Sequence, residues 1–424
     1  MQSDCKFALF VFPCYTSFEM KMRYIPRQCE AVLRNAAGQF PAVAVTGPRQ
    51  SGKSTLLRHV FEKTHRYVTL DDPLLRQRAL SDPKSFLEDL GAKAIIDEIQ
   101  YVPEILSYVK IAIDNRRDKP GQFLLTGSQQ FTMIKNLGDS LAGRIALLDL
   151  LPFSWREKRG DHHLKNLKTP SAGFIHACLQ GSYPEVAVRQ NMDRASWYGS
   201  YLDTDLERDV RTLYDIGNLR DFQRFLQLLA ARTAQILNLS SFASDLGTSV
   251  NTIKKWISIL EASRIIYSLS PYYEHFGKRI TKAPKIYFLD CGLVCYLVGI
   301  QSQDHLLKGP MAGALFETFC VQETVKAFLN RGVRPPIFYL RMNNDLEIDL
   351  IVKGSDMRLY PYEIKLTRTP KTSMASSIQR FKALFPKLAI MDGSILSLSE
   401  ADGPLTKNVT MKTVSHYLER LGRV

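Results

Sequence analysis

The stretch GPRQSGKSTLL, from Gly47 to Leu57, decides how this chain is read. It fills the P-loop pattern in full: a glycine, four free positions, then Gly52, Lys53 and Ser54. PAVAVTG before it reads as a buried strand, and SGKSTLLRHVFEK after it as a helix. In that context the glycines let the backbone turn its N–H groups toward a phosphate, and the helix N-terminus adds a favourable dipole. Gly47, Pro48, Arg49, Gln50, Ser51, Gly52, Lys53, Ser54 and Thr55 form the candidate nucleotide-binding set. Lys53 is expected to bridge β- and γ-phosphate oxygens, and the Ser54 hydroxyl to bind Mg²⁺, so ATP and Mg²⁺ are the expected ligands.

Working outward, YVTLDD, AKAIIDE, QFLLTGS and IALLDL read as strands alternating with helical segments. This alternation implies an α/β fold with a mostly parallel sheet and helices on both faces. AIIDE supplies an acidic pair at a strand end. Asp97 is expected to hold Mg²⁺ through water, and Glu98 to polarise the attacking water. Thr126 and Ser128, at the end of LLTGS, are placed to sense the γ-phosphate. Arg144 in SLAGR is a candidate for neutralising transition-state charge, from the same or a neighbouring subunit, with a surface salt bridge as the alternative.

A second motif lies far downstream. Asp349 in EIDLIV, then Glu363 and Lys365 in YEIKLT, have the D…ExK form of metal-dependent nucleases. Strand alternation puts Glu363 and Lys365 on one face. Asp349 and Glu363 are the expected metal ligands, Glu317 on the preceding helix a further one, and Lys365 the group that activates water and stabilises phosphate charge. The flanks support this reading: GALFETFCVQETVKAFLN is a helix, PIFYLR, EIDLIVK and LYPYEIKLT are successive strands, SMASSIQRFKALF a helix, LAIM a strand and VSHYLERLG a helix. An ion-pair cluster of Asp349, Glu363 and Lys365 is the alternative, since a carboxylate among apolar flanks needs a partner.

Between the two motifs, HHLKNLKTPSAG (residues 162–173) reads as an exposed loop and RASWYGSYLDTDLERDVRTLY as a long amphipathic helix. DFQRFLQLLAART, LSSFASDLG and TSVNTIKKWISILEAS read as three helices, followed by β-rich RIIYSLSPYY and APKIYFLD joined by the basic HFGKRITK. That order fits a winged helix. Lys254 and Lys255 on its third helix either meet DNA phosphates or form the solvated face of a packing module.

The bulk numbers fit two or three domains: 424 residues with a formal charge of +14. A positive balance of this size favours polyanionic partners such as DNA, although no long Lys/Arg run concentrates it. Seven scattered cysteines favour a reduced, cytoplasmic setting over a disulfide framework or a zinc site. FALFVFPCY near the start is too short to span a membrane, and no other stretch reaches that length.

GPRQSGKSTLL, YVTLDD, AIIDEIQYVPEI, FLLTGSQQF, LAGRIALLDLLPFS, GSYPEV, GALFET, EIDLIV and YEIKL together resemble, in that order, a prokaryotic group of AAA-type ATP-binding proteins with a C-terminal domain of unknown function. The resemblance implies an AAA-type ATPase domain over 22–155, a helical connection over 156–220, a winged helix over 221–300 and a restriction-endonuclease-like, PD-(D/E)xK-type α/β domain over 301–424. Residues 1–21 are an extension unlike the group. It also implies nucleotide roles for Lys53, Ser54, Asp97 and Glu98, and nuclease-like roles for Glu317, Asp349, Glu363 and Lys365. AAA-type sites often lie between subunits, so a homo-oligomer is an expected partner. Two functions follow: an ATP-dependent enzyme acting on nucleic acid, or an ATP-gated switch whose nuclease-like domain only binds a nucleic acid or protein partner.

Overall fold

The computed structural model describes residues 24–127, 141–160, 169–189, 192–206, 219–272, 282–342 and 346–421. The N-terminal extension, Ser128 and most of the basic segment 275–282 lie outside the described residues.

The first layer is a five-stranded, all-parallel sheet in the order β2-β3-β4-β1-β5. Its strands are β1 (Ala42–Thr46), β2 (Arg66–Thr69), β3 (Ala94–Asp97), β4 (Phe123–Thr126) and β5 (Ile145–Asp149). β1, β3 and β4 are buried along their whole length. Their runs are apolar throughout because helices cover both faces. One apolar cluster, with Phe86, Ile96, Val109 and Leu125, fills one face, and Leu33, Val43, Leu57 and Leu124 fill the other. All five strands fall on the runs read from sequence.

The middle region holds the helices Leu219–Ala231, Leu239–Leu246 and Val250–Ala262 and a small antiparallel sheet ordered β6-β8-β7. These strands are β6 (Gln235–Ile236), β7 (Ile266–Leu269) and β8 (Lys285–Phe288). Ser249 caps the third helix by accepting from the Thr252 N–H at 3.0 Å. Gly247, in the left-handed region, ends the second. Trp256 packs against Phe222 and Phe225, which ties the third helix to the first. Lys254 and Lys255 are exposed.

The last layer is a mixed six-stranded sheet, β13-β14-β12-β11-β10-β9. It comprises β9 (Ile337–Arg341), β10 (Glu347–Lys353), β11 (Leu359–Ile364), β12 (Gly393–Ser397), β13 (Gly403–Thr406) and β14 (Val409–Thr413). β9, β10 and β11 run antiparallel in turn, and β12 then lies parallel to β11. The helix Ala312–Leu329 precedes β9, and the helix Ser376–Leu384 stands between β11 and β12. One continuous apolar core runs from Leu151 and Trp155 through the middle region to Tyr417 and Leu421.

Three local expectations are corrected. The fourth strand of the last sheet is GSILS, not LAIM; of the latter only Ile390 makes an isolated bridge, to Leu359. Small residues are needed there, because a Cβ on Gly393 would stand 2.5 Å from Ile378 Cγ2. The expected loop 162–173 ends inside a helix, Pro170–Leu179, capped by Thr169. Its Gly173 is buried against Trp155, where a Cβ would come within 2.4 Å of Nε1. The described part of the expected long helix at 194 is a short α-helix, Arg194–Ser200, continued by a π-helical turn, Tyr201–Leu206.

Lys158, in the helix Trp155–Arg159, is wholly buried. Its ammonium donates to the Gly181 carbonyl at 3.0 Å and to Ser182 Oγ at 3.2 Å. Burial, then repulsion from Lys326, pushes its pKa down to about 8. An unfolded lysine keeps its proton to about pH 10.4. Between those values the unfolded chain binds more protons, so this group makes stability rise with pH. Wild-type Tm is therefore expected to gain on Lys158→Met from about pH 8 to about pH 10. A Tm difference that stays constant with pH contradicts this account of Lys158.

Candidate functional site

The Gly47–Ser54 loop leaves the C-terminal end of β1, the strand between β4 and β5. Two glycines fit it by necessity. Gly47 has φ +144°, and a Cβ there would lie 2.1 Å from the Leu150 carbonyl oxygen. Gly52 caps the helix Lys53–Phe61 in the left-handed region at φ +92°. Lys53 is buried and donates to the Gly47 and Pro48 carbonyls at 3.1 and 2.9 Å. Ser51 is fully buried, and its hydroxyl has no partner within the protein. An orphaned hydroxyl inside a phosphate-type loop is what a bound phosphate would satisfy, so the residues fit a nucleotide. Gln50 and Thr55 are exposed and Arg49 half-exposed.

Asp97 is the hub of the acidic side. Its Oδ1 accepts from Ser54 Oγ at 2.8 Å and from Thr126 Oγ1, and its Oδ2 accepts from Tyr67 OH at 2.8 Å. Thr126 also accepts from the Glu98 backbone N–H at 3.2 Å. Thr126 therefore braces the acidic pair, whereas the sequence placed it as a phosphate sensor. Glu98 is half-exposed and held at φ +55°, rare for a residue with a Cβ, and its Oε2 accepts from Gln100 Nε2. Ser54 with Asp97 is the pair suited to hold Mg²⁺, and Glu98 stands beside it.

Arg144 is not part of this site within the chain. It precedes β5, beside the start of β1, and so lies at the end of the parallel sheet opposite the loop. It makes a bidentate pair with Asp114, at 2.7 and 3.1 Å. Spacing in the sequence cannot tell which end of a strand a flanking residue occupies; the parallel direction of β5 can.

Long-range partners that local patterns do not signal complete the loop's surroundings. The buried Arg27 guanidinium donates to the Ser51 carbonyl at 2.9 Å and to the Leu151 carbonyl at 2.6 Å, and pairs with Glu157 at 3.0 Å. Thr46, one residue before the loop, donates to Asp149 Oδ1 at 2.7 Å, and Asp149 Oδ2 accepts from Arg264 of the middle region at 2.6 Å. Arg264 has φ +55° and lies just before β7. These groups border a cleft of about 460 Å³ between β5, the middle region and the helix Ala312–Leu329.

The second motif also converges. With Leu350 opposite Tyr362, β10 and β11 bring Asp349 alongside Glu363. Lys365 Nζ stands 3.2 Å from Asp349 Oδ2 and 2.8 Å from Glu363 Oε2. Lys285 from β8, unmarked by any motif, places its Nζ 2.7 Å from Glu347, 3.2 Å from Glu317 and 3.9 Å from Asp349. Tyr287 OH donates to Glu317 at 2.6 Å. Burial raises the Glu317 carboxyl to about 7 and that of Glu363 to about 8, with Asp349 adding to both. Lys365 and Lys285 hold Asp349 below its ordinary range against the opposing effect of burial. The expected ligands Glu317, Asp349 and Glu363 thus meet as ion pairs. Among the described residues no three acidic, histidine or cysteine groups are set to share a metal ion, and a divalent metal does not fit the cluster in this arrangement.

Residues 39–158 match the family described as AAA domain. Residues 171–304 and 312–417 match two domains of unknown function, DUF8612 and DUF4143. An uncharacterized protein of Mycobacterium tuberculosis is 32% identical over 366 residues, 86% of this chain and 79% of the relative, and one of Mycobacterium bovis matches equally. An uncharacterized protein of Haemophilus influenzae is 22% identical over 85% of this chain and 90% of its own length. Among solved structures, the Walker-type ATPase of Pyrococcus abyssi is similar at TM-score 0.39 and 17% identity, covering 65% of this chain and 96% of that one. The Thermotoga maritima RuvB Holliday junction branch migration motor is similar at TM-score 0.30 and 18% identity, covering 57% of this chain and 88% of its own. No helix among the described residues is long and apolar enough to cross a membrane. The chain belongs to the family of the mycobacterial proteins, and over residues 39–158 it is a P-loop ATPase domain of the AAA type.

Proposed function

We propose that the chain is an ATP-driven conformational switch. ATP sits on the Gly47–Ser54 loop with Lys53 on its phosphates. Ser54 and Asp97 hold Mg²⁺, which supplies charge neutralisation at the phosphates, and Glu98 orients the attacking water. The observation that carries the switch is the chain Thr46–Asp149–Arg264, which joins the residue before the loop to the middle region. Closure of a P-loop around γ-phosphate commonly reorders neighbouring segments, and this chain gives such a shift a route out.

The three helices and three-stranded antiparallel sheet of the middle region support a winged helix acting as a joint, with exposed Lys254 and Lys255 available to a polyanion. The helix–strand–strand–strand–helix–strand order of the last layer supports a PD-(D/E)xK-type core. Lysines within its acidic cluster favour a binding role over cutting in this conformation. The alternative is an ATP-dependent nuclease. It is favoured by Asp349, Glu363 and Lys365 meeting on one face, and tested by Mg²⁺- or Mn²⁺-dependent cleavage of DNA and RNA with and without ATP.

To test the switch, spin labels at exposed Lys63 and Lys255 report the distance between the first layer and the middle region. ATP is expected to shift that distance in the otherwise wild-type protein. Arg264→Ala is expected to bind ATP within about threefold of wild type, since its hydrogen bond goes to Asp149 and not to the loop itself, yet to lose the shift. An equal shift in both proteins contradicts the proposed route.

A further inference from the structure

We propose that Lys285 is the resident cation of the acidic cluster: the middle region inserts its ammonium where a divalent ion would sit, and the cluster takes such an ion only when Lys285 is withdrawn.

The geometry is that of an expanded coordination shell. Three carboxylates, Glu317 from a helix and Glu347 and Asp349 from alternate positions of β10, surround one ammonium at 2.7 to 3.9 Å. Hard divalent ions such as Mg²⁺ collect carboxylate oxygens in the same way, at about 2.1 Å. Lys285 is 3% exposed, so its ammonium has left water for these partners. A buried ammonium is tolerated only when well paired, and stripping a buried cluster of its cation leaves carboxylates that need another. Among the described residues, the carboxyl groups of Glu317, Glu347, Asp349 and Glu363 face the ammonium groups of Lys285 and Lys365, with the exposed Arg341 at the rim, 3.6 Å from Glu347.

A second observation points to unfilled demand at the same place. Glu363 is 4% exposed; its Oε2 meets Lys365, but its Oε1 has no hydrogen-bond partner. A buried carboxyl oxygen left without a partner is costly, and a metal ion would relieve it. Lys285 belongs to β8, whose partner strand β7 follows Arg264 directly, so the element bearing the lysine is hydrogen-bonded to the element linked to the nucleotide loop. A shift of β8 is a direct way to withdraw the ammonium. In this respect the inference deepens the switch reading, although its test involves no nucleotide.

The test is Mn²⁺ binding to the nucleotide-free full chain, followed by electron paramagnetic resonance. Wild type is expected to hold no Mn²⁺ that Asp349→Asn removes. Lys285→Met is expected to bind one more Mn²⁺ per chain than wild type, and to lose it when combined with Asp349→Asn. If Lys285→Met does not fold, Lys285→Gln, which keeps a donor without the charge, takes its place. Wild-type Mn²⁺ binding that Asp349→Asn abolishes would show that the lysine excludes nothing. A folded, ATP-binding Lys285 variant that gains no Mn²⁺ would show that the cluster is a permanent ion-pair socket. Either result overturns the proposal. Loss of ATPase activity or of the ATP-driven distance change would sink the switch instead, and leave these measurements unaffected.

Discussion

Lys53→Ala protein is expected to lose ATP binding by at least about a hundredfold and to show no hydrolysis, while Glu98→Gln keeps binding and loses about 10²–10⁴ in kcat. The two variants separate two jobs. Lys53 carries the charge that meets the phosphates, and it is already buried against the loop, held by the Gly47 and Pro48 carbonyls. Releasing it to a phosphate exchanges neutral acceptors for charged ones, which gives stronger hydrogen bonds. Glu98 bonds to Thr126 and Gln100 and stands just beyond Asp97, half-exposed to water. Isothermal titration with ATP and a phosphate-release assay read the two effects independently. Wild-type hydrolysis by Glu98→Gln would remove Glu98 from the chemistry and leave the binding loop intact.

Gly47→Ala is the second variant with a large expected effect. A methyl group at Gly47 would collide with the Leu150 backbone, whose oxygen lies 2.1 Å from the Cβ position. No side-chain rotation relieves a clash with backbone. The Leu150 N–H donates to the Thr46 carbonyl at 2.7 Å, so the two segments cannot part without losing that bond. A left-handed φ adds strain of about 1–3 kcal/mol for any residue with a Cβ. The expected outcome is lost ATP binding together with a lowered Tm. Gly38→Ala is the control: Gly38 is exposed near the end of the helix Glu30–Gln39 with open space at its Cβ position, and alanine there should raise stability slightly. ATP affinity in Gly47→Ala within a few-fold of wild type would contradict the close packing of loop and Leu150.

How far these sites could be read from sequence follows from the range of the interactions. The loop was legible because glycines, lysine and serine act within eight consecutive residues, between a strand and a helix whose periodicities are plain. β9, β10 and β11 were legible because each is a short apolar run ended by polar or turn residues. β12 was not, since GSILS has no strong hydrophobic signature; its small residues admit the helix Ser376–Leu384, and its serine hydroxyls are met by Thr410 and Ser399. The partners that arm the sites were also hidden. Tyr67 reaches Asp97 from a neighbouring strand, Arg27 reaches Ser51 and Leu151, and Lys285 enters the acidic cluster from another region of the chain. None carries a local motif, because each is defined by where the chain returns in space. Arg144 stands away from the loop of its own chain for the complementary reason: its motif context is suggestive, but the parallel pairing of β5 with β1 carries it to the far end of the sheet, where it forms the surface salt bridge that was the alternative.

The connection between the two sites rests on buried polar contacts. The helix Ala312–Leu329 carries Glu317 in the acidic cluster. Farther along, its Glu323 accepts from the Trp155 N–H at 2.7 Å, and its Lys326 donates to the Phe153 carbonyl at 3.1 Å. Phe153 and Trp155 follow Leu151, whose carbonyl receives Arg27 from beneath the loop. Thr46, Asp149 and Arg264 form a second path, toward β7 and β8. Buried charges of this kind are poor at adding stability but resist being parted singly, so the layers should move as linked units.

The most direct test of the central claim, that nucleotide at the Gly47–Ser54 loop is felt in the middle region, is hydrogen exchange with and without Mg-ATP in wild type and Lys53→Ala. ATP is expected to change exchange in the wild type both at the loop and at Ile266–Leu269 and Lys285–Phe288, and to change neither in Lys53→Ala. Protection confined to the loop, with β7 and β8 unchanged under saturating ATP, would contradict it.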